Sequence, residues 1–131
     1  MIQSLTMNKK YFELARIVAT SRKDRRSFLL GAVGIRNDGV IVASPNGPAV
    51  IEDISSNRGY FPEAHAEFRV SKKLDVGSVV YVIRIRRGNK RVCLAKPCET
   101  CLTVLKHRGV KKIYYSISEN KKGIIWDSLR I

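Results

Sequence analysis

The sequence is short of acidic side chains. Asp and Glu number 11 against 25 Lys and Arg, so the 131 residues carry a formal net charge of +14. A surface this positive attracts polyanions. We therefore expect nucleic acid as the first partner and nucleotide phosphates as the second; an anionic membrane is a distant third and is not expected as a partner. The alternative is a generic basic surface that keeps the protein soluble.

Long apolar runs and a disulfide framework are also missing. No apolar stretch approaches the roughly 18 residues that cross a membrane, and the N-terminal segment "MIQSLTMNKKYFELAR" contains no signal-peptide core. Three cysteines are an odd number, and a C-x-x-C without a secretion signal favours metal binding or redox chemistry. We expect a protein of the reducing cytoplasm. Its length and its 44% hydrophobic content suit one globular domain over residues 1–131.

Apolar periodicity and turn residues predict an α/β chain with helices packed on the faces of a sheet. Helices are predicted at 9–20, 63–74 and 98–109, with Asn8 as the first N-cap and Gly109 as the last C-cap. Strands are predicted at 28–35, 40–44, 78–86, 110–118 and 124–131, with a short returning strand at 91–95. The Asp-Gly pair in "RNDG" predicts the turn of the first hairpin.

Two short stretches, "PEAHAEF" and "AKPCETC", carry the chemistry. His65 and Glu67 fall in the first turns of the second predicted helix, and Cys98 and Cys101 in those of the third. If the two helices begin side by side, His65, Cys98 and Cys101 offer one nitrogen and two sulfurs, which suit a catalytic zinc with an open fourth position for water. Glu67 is then the adjacent proton shuttle. The alternative is a pair of packed thiols.

The remaining cysteine and histidine and several aromatic side chains are interpreted as structural. Cys93 alternates with a leucine in a predicted strand and is assigned to the core. His107 lies near the end of the third helix, where a cation suits the helix dipole. Trp126, Tyr114 and Tyr115 lie in predicted strands and are assigned to packing.

"HAE" followed by "PCETC" fits the H-x-E…P-C-x-x-C signature of zinc-dependent nucleoside and nucleobase deaminases. The chain resembles the cytidine deaminase-like superfamily over almost its whole length. The resemblance implies a three-layer α-β-α sandwich around a mixed five-stranded sheet whose last two strands are antiparallel. It also implies Zn²⁺ held by His65, Cys98 and Cys101, proton transfer by Glu67, and hydrolytic deamination with water as co-substrate.

The resemblance extends to the substrate site. The family's asparagine that contacts the sugar corresponds to Asn46 in "SPNG", although a turn asparagine needs no function. Tyr60 and Phe61 lie in the long predicted loop 45–62, where they either stack on a base or anchor the loop. The candidate substrate-binding residues are Asn46, Tyr60, Phe61, Ala66 and Pro97.

The end of the sequence bears on the base. Only "ENKKG" separates the last two strands, which is too short for a helical crossover. This resembles the branch with free cytidine deaminases and bacterial toxin-like deaminases of DNA or RNA, and departs from tRNA adenosine and deoxycytidylate deaminases. We therefore expect cytosine rather than adenine. Free cytidine deaminases, however, usually have cysteine at the position of His65 and a "PCGxCRQ" motif where this chain has "PCETCLT".

Positive charge clusters in "SRKDRR", "RIRRGNKR", "KHRGVKK" and "NKK". The second cluster is a predicted hairpin just before the metal motif, and alternation puts Arg84 and Arg86 on one face of its strand. A basic hairpin beside the pocket suits a phosphate backbone, whereas the alternative is a solvated edge that resists aggregation. The candidate nucleic-acid-binding residues are Arg25, Arg26, Arg84, Arg86, Arg87, Lys90 and Arg91.

The leading hypothesis is a zinc-dependent deaminase that converts cytosine to uracil in nucleic acid, with DNA favoured over RNA and single-stranded DNA included. The second is a metabolic deaminase of free (deoxy)cytidine or (d)CMP. The third is a nucleic-acid-binding module with structural zinc, against which Glu67 argues because a structural site needs no H-x-E. The sequence leaves the oligomeric state open.

Overall fold

A computed structural model of the protein describes residues 2–21, 28–45 and 66–131, with only the backbone described for 2–6 and Phe68. The helices are α1 (Ile2–Thr20), α2 (Ala66–Ser71) and α3 (Glu99–His107) within these ranges. The strands there are β1 (Phe28–Ile35), β2 (Ile41–Pro45), β3 (Val79–Arg86), β4 (Val92–Cys93), β5 (Lys112–Asn120) and β6 (Gly123–Arg130). None of the described helices is both long and apolar enough to cross a membrane.

The strands form one mixed sheet. Five of them lie in the order β2-β1-β3-β5-β6, and the short β4 pairs with β3 beside this path. β3 and β5 are parallel, whereas β1 pairs antiparallel with β2 and β3, and β5 pairs antiparallel with β6. The predicted mixed sheet with an antiparallel final pair is therefore confirmed, and β4 adds a sixth strand to it.

Alternation along β3 divides the interior into two layers. Val80 and Val82 pack with Ala66 of α2 and Leu105 of α3 on one face of the sheet. The alternate residues of β3, which are Tyr81, Ile83 and Ile85, point to the other face of the sheet. There they pack against Phe12, Ala15 and Ala19 of α1. Since successive strand residues face opposite sides, the sheet is covered by helices on both faces, which gives the predicted three layers.

Close packing of α1 on the sheet depends on a glycine. A Cβ at Gly31 of β1 would lie 2.1 Å from the carbonyl oxygen of Ala15 and 2.9 Å from the backbone nitrogen of Ala19. Both atoms belong to the helix backbone, so they move only if α1 itself moves. The small side chains of Ala15 and Ala19 and the missing side chain of Gly31 together let helix and strand touch.

Replacing Gly31 by alanine is expected to lower the free energy of unfolding by about 3 kcal/mol, because the added methyl overlaps helix backbone. Urea unfolding measures the loss. Gly88→Ala is the matched control, since a Cβ there meets nothing within 4 Å, and it is expected to change stability by less than about 0.5 kcal/mol. Equal effects of the two substitutions would show that α1 does not pack on β1 at this glycine.

The start of the first helix was predicted wrongly. α1 begins at Ile2, and Asn8 lies inside it rather than at its N-cap. The side-chain oxygen of Asn8 accepts a hydrogen bond from the hydroxyl of Tyr81. A polar residue that suits a cap is thus satisfied by a strand far along the chain.

The predicted returning strand at 91–95 shrinks to β4. Only Val92 and Cys93 pair with β3, opposite Ile85 and Arg84. Beyond them, the backbone N–H of Ala95 donates to the carbonyl of Ser116 in β5 at 2.8 Å. The chain therefore leaves β3 for β5 on its way to α3.

α3 ends at His107 with Arg108 as its C-cap, so the predicted helix end and the C-cap at Gly109 were slightly too late, and Gly109 is the residue after the cap. Gly109 adopts φ +84°, a left-handed conformation that favours glycine. Its N–H donates to the carbonyl of Lys106 at 3.0 Å, and that of Val110 donates to the carbonyl of Leu105 at 3.1 Å. The chain then turns directly into β5.

Candidate active site

The N-terminal ends of α2 and α3 meet above the end of β3. Glu67 lies in the first turn of α2, and Cys98 is the N-cap of α3. The two helices pack against each other on the same face of the sheet. Helix N-termini carry partial positive charge, which favours thiolates and carboxylates placed there.

Glu67 is buried although it carries an ionisable group. Its exposed fraction is 4%, and the thiol of Cys101 donates a hydrogen bond to its carboxylate. The other oxygen, Oε1, has no hydrogen-bond partner within the described ranges. Burial raises the pKa of Glu67 to about 7, against the opposing effects of its own backbone N–H, the Cys101 thiol and the Arg84 charge. A buried carboxyl oxygen without a protein partner is available to a ligand.

The two cysteines of the C-x-x-C lie one helical turn apart. Cys98 has extended backbone angles, φ −70° and ψ 166°, and is half-buried. Cys101 is fully buried in the first turn of α3. Cys93, the third cysteine of the chain, was predicted in the core but is half-buried, because β4 lies at the margin of the sheet. All three cysteines are described, and none of them forms a disulfide.

This arrangement fits zinc as far as it is described. Two thiols at one helix start are typical of a zinc-binding pair, and the partnerless oxygen of Glu67 lies beside one of them. No group of three His, Cys, Asp or Glu side chains forms a metal site among the described residues. The third predicted ligand, His65, lies outside them.

An arginine and a phenylalanine extend the site along the sheet. The guanidinium carbon of Arg84 lies 3.9 Å from the centroid of the Phe28 ring, and its charge acts on Glu67. Arg84 was predicted from its basic cluster, but Phe28 was missed. The signal that could have found it is strand pairing, because Phe28 lies opposite Arg86 in the β1–β3 register, diagonal to Arg84.

The other predicted substrate residues are only partly described. Ala66 and Pro97 are both buried beside the motif residues. Lys73, which was not among the predicted residues, donates from Nζ to the carbonyl of Ala43 at 2.8 Å and so connects the chain after α2 to β2. The predicted residues Asn46, Tyr60, Phe61, Arg25 and Arg26 lie outside the described residues.

The basic hairpin joins β3 to β4 at this end of the sheet. Its backbone is closed by the N–H of Arg86, which donates to the carbonyl of Arg91 at 2.8 Å. Arg86, Arg87, Lys90 and Arg91 are all exposed, and none forms an ion pair with an acid in the described ranges. By alternation along β3, Arg84 and Arg86 share the sheet face that carries Glu67.

The profile of the cytidine and deoxycytidylate deaminase zinc-binding region matches residues 5–117. The chain belongs to this family. The predictions of a deaminase, of the cytidine deaminase-like superfamily and of zinc as the metal are thereby confirmed.

Two solved structures of similar fold are cytidine deaminases. That of Mycobacterium leprae is 19% identical, with 89% of this chain and 90% of the other covered and a TM-score of 0.54. That of Bacillus anthracis is 19% identical, with 94% and 84% covered and a TM-score of 0.55. At this identity the likeness shows the fold alone. A search of curated proteins finds no significant match.

Proposed function

We propose that this deaminase converts cytosine to uracil within a polynucleotide, with single-stranded DNA as the favoured substrate. The observation that carries the proposal is the basic hairpin on the Glu67 side of the sheet. Its cations are exposed and have no acidic partner in the described ranges. Arginines in this state are available to phosphate oxygens, whereas a free nucleoside offers them no anion.

The proposed zinc ligands are His65, Cys98 and Cys101. Zinc, when bound, supplies the Lewis acidity that makes a water molecule a nucleophile near neutral pH. Glu67 takes one proton from that water and delivers it to the ring nitrogen of cytosine, while the water oxygen forms a bond to the carbon that carries the amino group. Glu67 then takes the second proton from the hydroxyl now on that carbon and passes it to the amine, so that the C–N bond breaks and ammonia leaves. The balance is one water consumed and one ammonia released, with a carbonyl oxygen in place of the amino group. Burial of Glu67 keeps its carboxylate away from bulk water during these transfers.

The neighbours of Glu67 suit a base that is turned out of a strand. Phe28 and Arg84 form a stacked pair at 3.9 Å, and an aromatic ring and a guanidinium are the two kinds of group that stack on bases. The hairpin follows Arg84 directly, so the phosphates that flank a base near Glu67 lie within its reach. Turning the base out of a single strand costs less than breaking a base pair.

Deamination of free (deoxy)cytidine or dCMP is the second candidate. It is supported by the two structural neighbours, both of which are cytidine deaminases, and by the family, which includes deoxycytidylate deaminases. In that case Arg84 would be the one basic residue of this cluster to contact the substrate, and the exposed hairpin would have no role in the reaction. A module with purely structural zinc is disfavoured, because it would have no use for a buried carboxyl oxygen without a partner.

The test is conversion of cytosine to uracil, or release of ammonia, with four substrates at low salt: a cytosine-containing single-stranded oligonucleotide, cytidine, deoxycytidine and dCMP. We expect the oligonucleotide to be processed with the highest kcat/KM. Preference for any of the small substrates would replace the polynucleotide by a metabolic function. An oligonucleotide in which uracil has been placed at every cytosine position serves as the blank.

A further inference from the structure

A groove lies on the opposite side of the sheet from Glu67. It has a volume of about 440 Å³ and opens between α1 and the sheet, where its lining includes Met7, Asn8, Tyr11, Ile35, Tyr81 and Tyr114. The volume lies within the range of small-ligand sites, and so does the mixture of aromatic walls with a few polar groups.

Three tyrosines form the wall of this groove. The rings of Tyr81 and Tyr114 stack with centroids 4.7 Å apart and planes within 7° of each other, and Tyr11 lies 5.1 Å from Tyr81. Tyr81 is buried, but Tyr11 and Tyr114 are only half-buried. The sequence assigned Tyr114 to packing, and it does pack against the cluster under α1, but part of its ring also lines the groove. Half-open rings beside a groove are a stacking surface for a flat ligand.

Two cations stand side by side next to Tyr114. Lys112 and Arg130 are directly paired across β5 and β6, and the Nζ of Lys112 lies 4.9 Å from the centroid of the Tyr114 ring. Alternation places Lys112 on the same face as Tyr114, and Arg130 on the same face as Trp126, which packs towards α1. Like charges directly opposite each other destabilise a strand pair. Neither has an acidic partner in the described part of the chain, so the pair suits an anion.

The groove is separate from the deaminase site in two respects. It lies on the α1 face, whereas Glu67 lies on the α2 and α3 face. It is also at the other end of the strands, since it contains residues from the start of β3 and β5, while Arg84 and the basic hairpin lie where β3 ends. A ligand in this groove therefore does not compete with a base at Glu67.

We propose that this groove binds a nucleotide unit, with the base against Tyr11 and Tyr114 and the phosphate on Lys112 and Arg130. An aromatic surface next to a pair of cations matches a flat ring attached to an anion. The unit belongs either to a free mononucleotide or to a second stretch of a polynucleotide, and the chemistry of recognition is the same. The inference concerns a site that the proposed deamination does not use.

The probes are dTMP, thymidine, inorganic phosphate and an eight-residue oligothymidylate, none of which has an amino group to lose. The zinc-loaded full chain with labelled tyrosines is titrated by NMR. We expect dTMP to shift the ring signals of Tyr11 and Tyr114 and to leave Tyr115, on the opposite face, in place. A tighter oligothymidylate would identify a strand as the source, and equal affinity a mononucleotide.

The variant Lys112→Gln/Arg130→Gln is expected to weaken dTMP binding about tenfold, because the phosphate loses both cations. Lys106→Gln/Arg108→Gln, which removes two exposed cations from the end of α3, is the matched control and is expected to bind dTMP as the unaltered chain does. An unchanged affinity in the first variant, or phosphate alone competing as strongly as dTMP, would overturn the proposal. These shifts are read without turnover, so they stand or fall independently of deamination.

Discussion

Glu67→Gln is expected to lower kcat for cytosine deamination by about 10³-fold or more, within the range that a positioned acid–base group contributes. Glutamine keeps the size of the side chain and an oxygen that accepts from the Cys101 thiol, but it cannot carry a proton between water and the base. Because Glu67 is 4% exposed and packed beside α3, a replacement of equal size disturbs the packing least. The measurement is single-turnover deamination of the preferred substrate, with zinc content determined on the same sample.

The matched control for this substitution is Glu99→Gln. Glu99 also lies in the first turn of a helix at this end of the sheet, but its side chain is exposed. We expect its kcat to stay within about threefold of the unaltered chain, since an exposed first-turn acid contributes only a modest helix-dipole term. If both variants retained activity, Glu67 would not be the proton carrier. If Glu67→Gln lost zinc together with activity, its role would be in the metal site rather than in proton transfer.

The sequence predicted elements best where local pattern and turn chemistry agree. β1 has the predicted bounds, Phe28–Ile35, because its apolar run is followed by a tight turn in which Gly39 adopts φ +88° and donates its N–H to the carbonyl of Arg36. α1 failed at its start, since Asn8 suits an N-cap locally but is bonded to the hydroxyl of Tyr81 instead. A local sequence pattern carries no information about a hydrogen-bond partner 73 residues away.

The same distinction holds at the candidate site. Motif spacing was enough to place Glu67 in a first helical turn and Cys98 and Cys101 at the start of a helix, and both placements are found. The stacking of Arg84 on Phe28 was out of reach, because it depends on the register of β1 against β3. A one-residue slip of that register would turn Phe28 to the α1 face.

Removing three charges from the hairpin, as Arg86→Gln/Arg87→Gln/Arg91→Gln, is expected to lower kcat/KM for a single-stranded oligonucleotide about 100-fold at physiological salt. Each of these cations is exposed and lacks an acidic partner in the described ranges, so each is available for a phosphate contact. Loss of three such contacts also makes the fall of log affinity with log salt shallower, by about 2 in the magnitude of the slope, since each contact with single-stranded nucleic acid contributes roughly 0.7. Activity and binding at several salt concentrations measure both effects.

The control carries the same loss of charge at the far end of the sheet. Lys106→Gln/Arg108→Gln/Lys111→Gln also removes three exposed cations, but from the end of α3 and the approach to β5, away from Arg84. If the hairpin holds the strand that presents its base to Glu67, the hairpin variant loses far more activity than this control at equal net charge. Equal losses would mean that the high net charge attracts polyanions without a defined path, and the hairpin would then be only a solvated edge. The comparison thus separates a binding surface from a basic composition, which net charge alone cannot do.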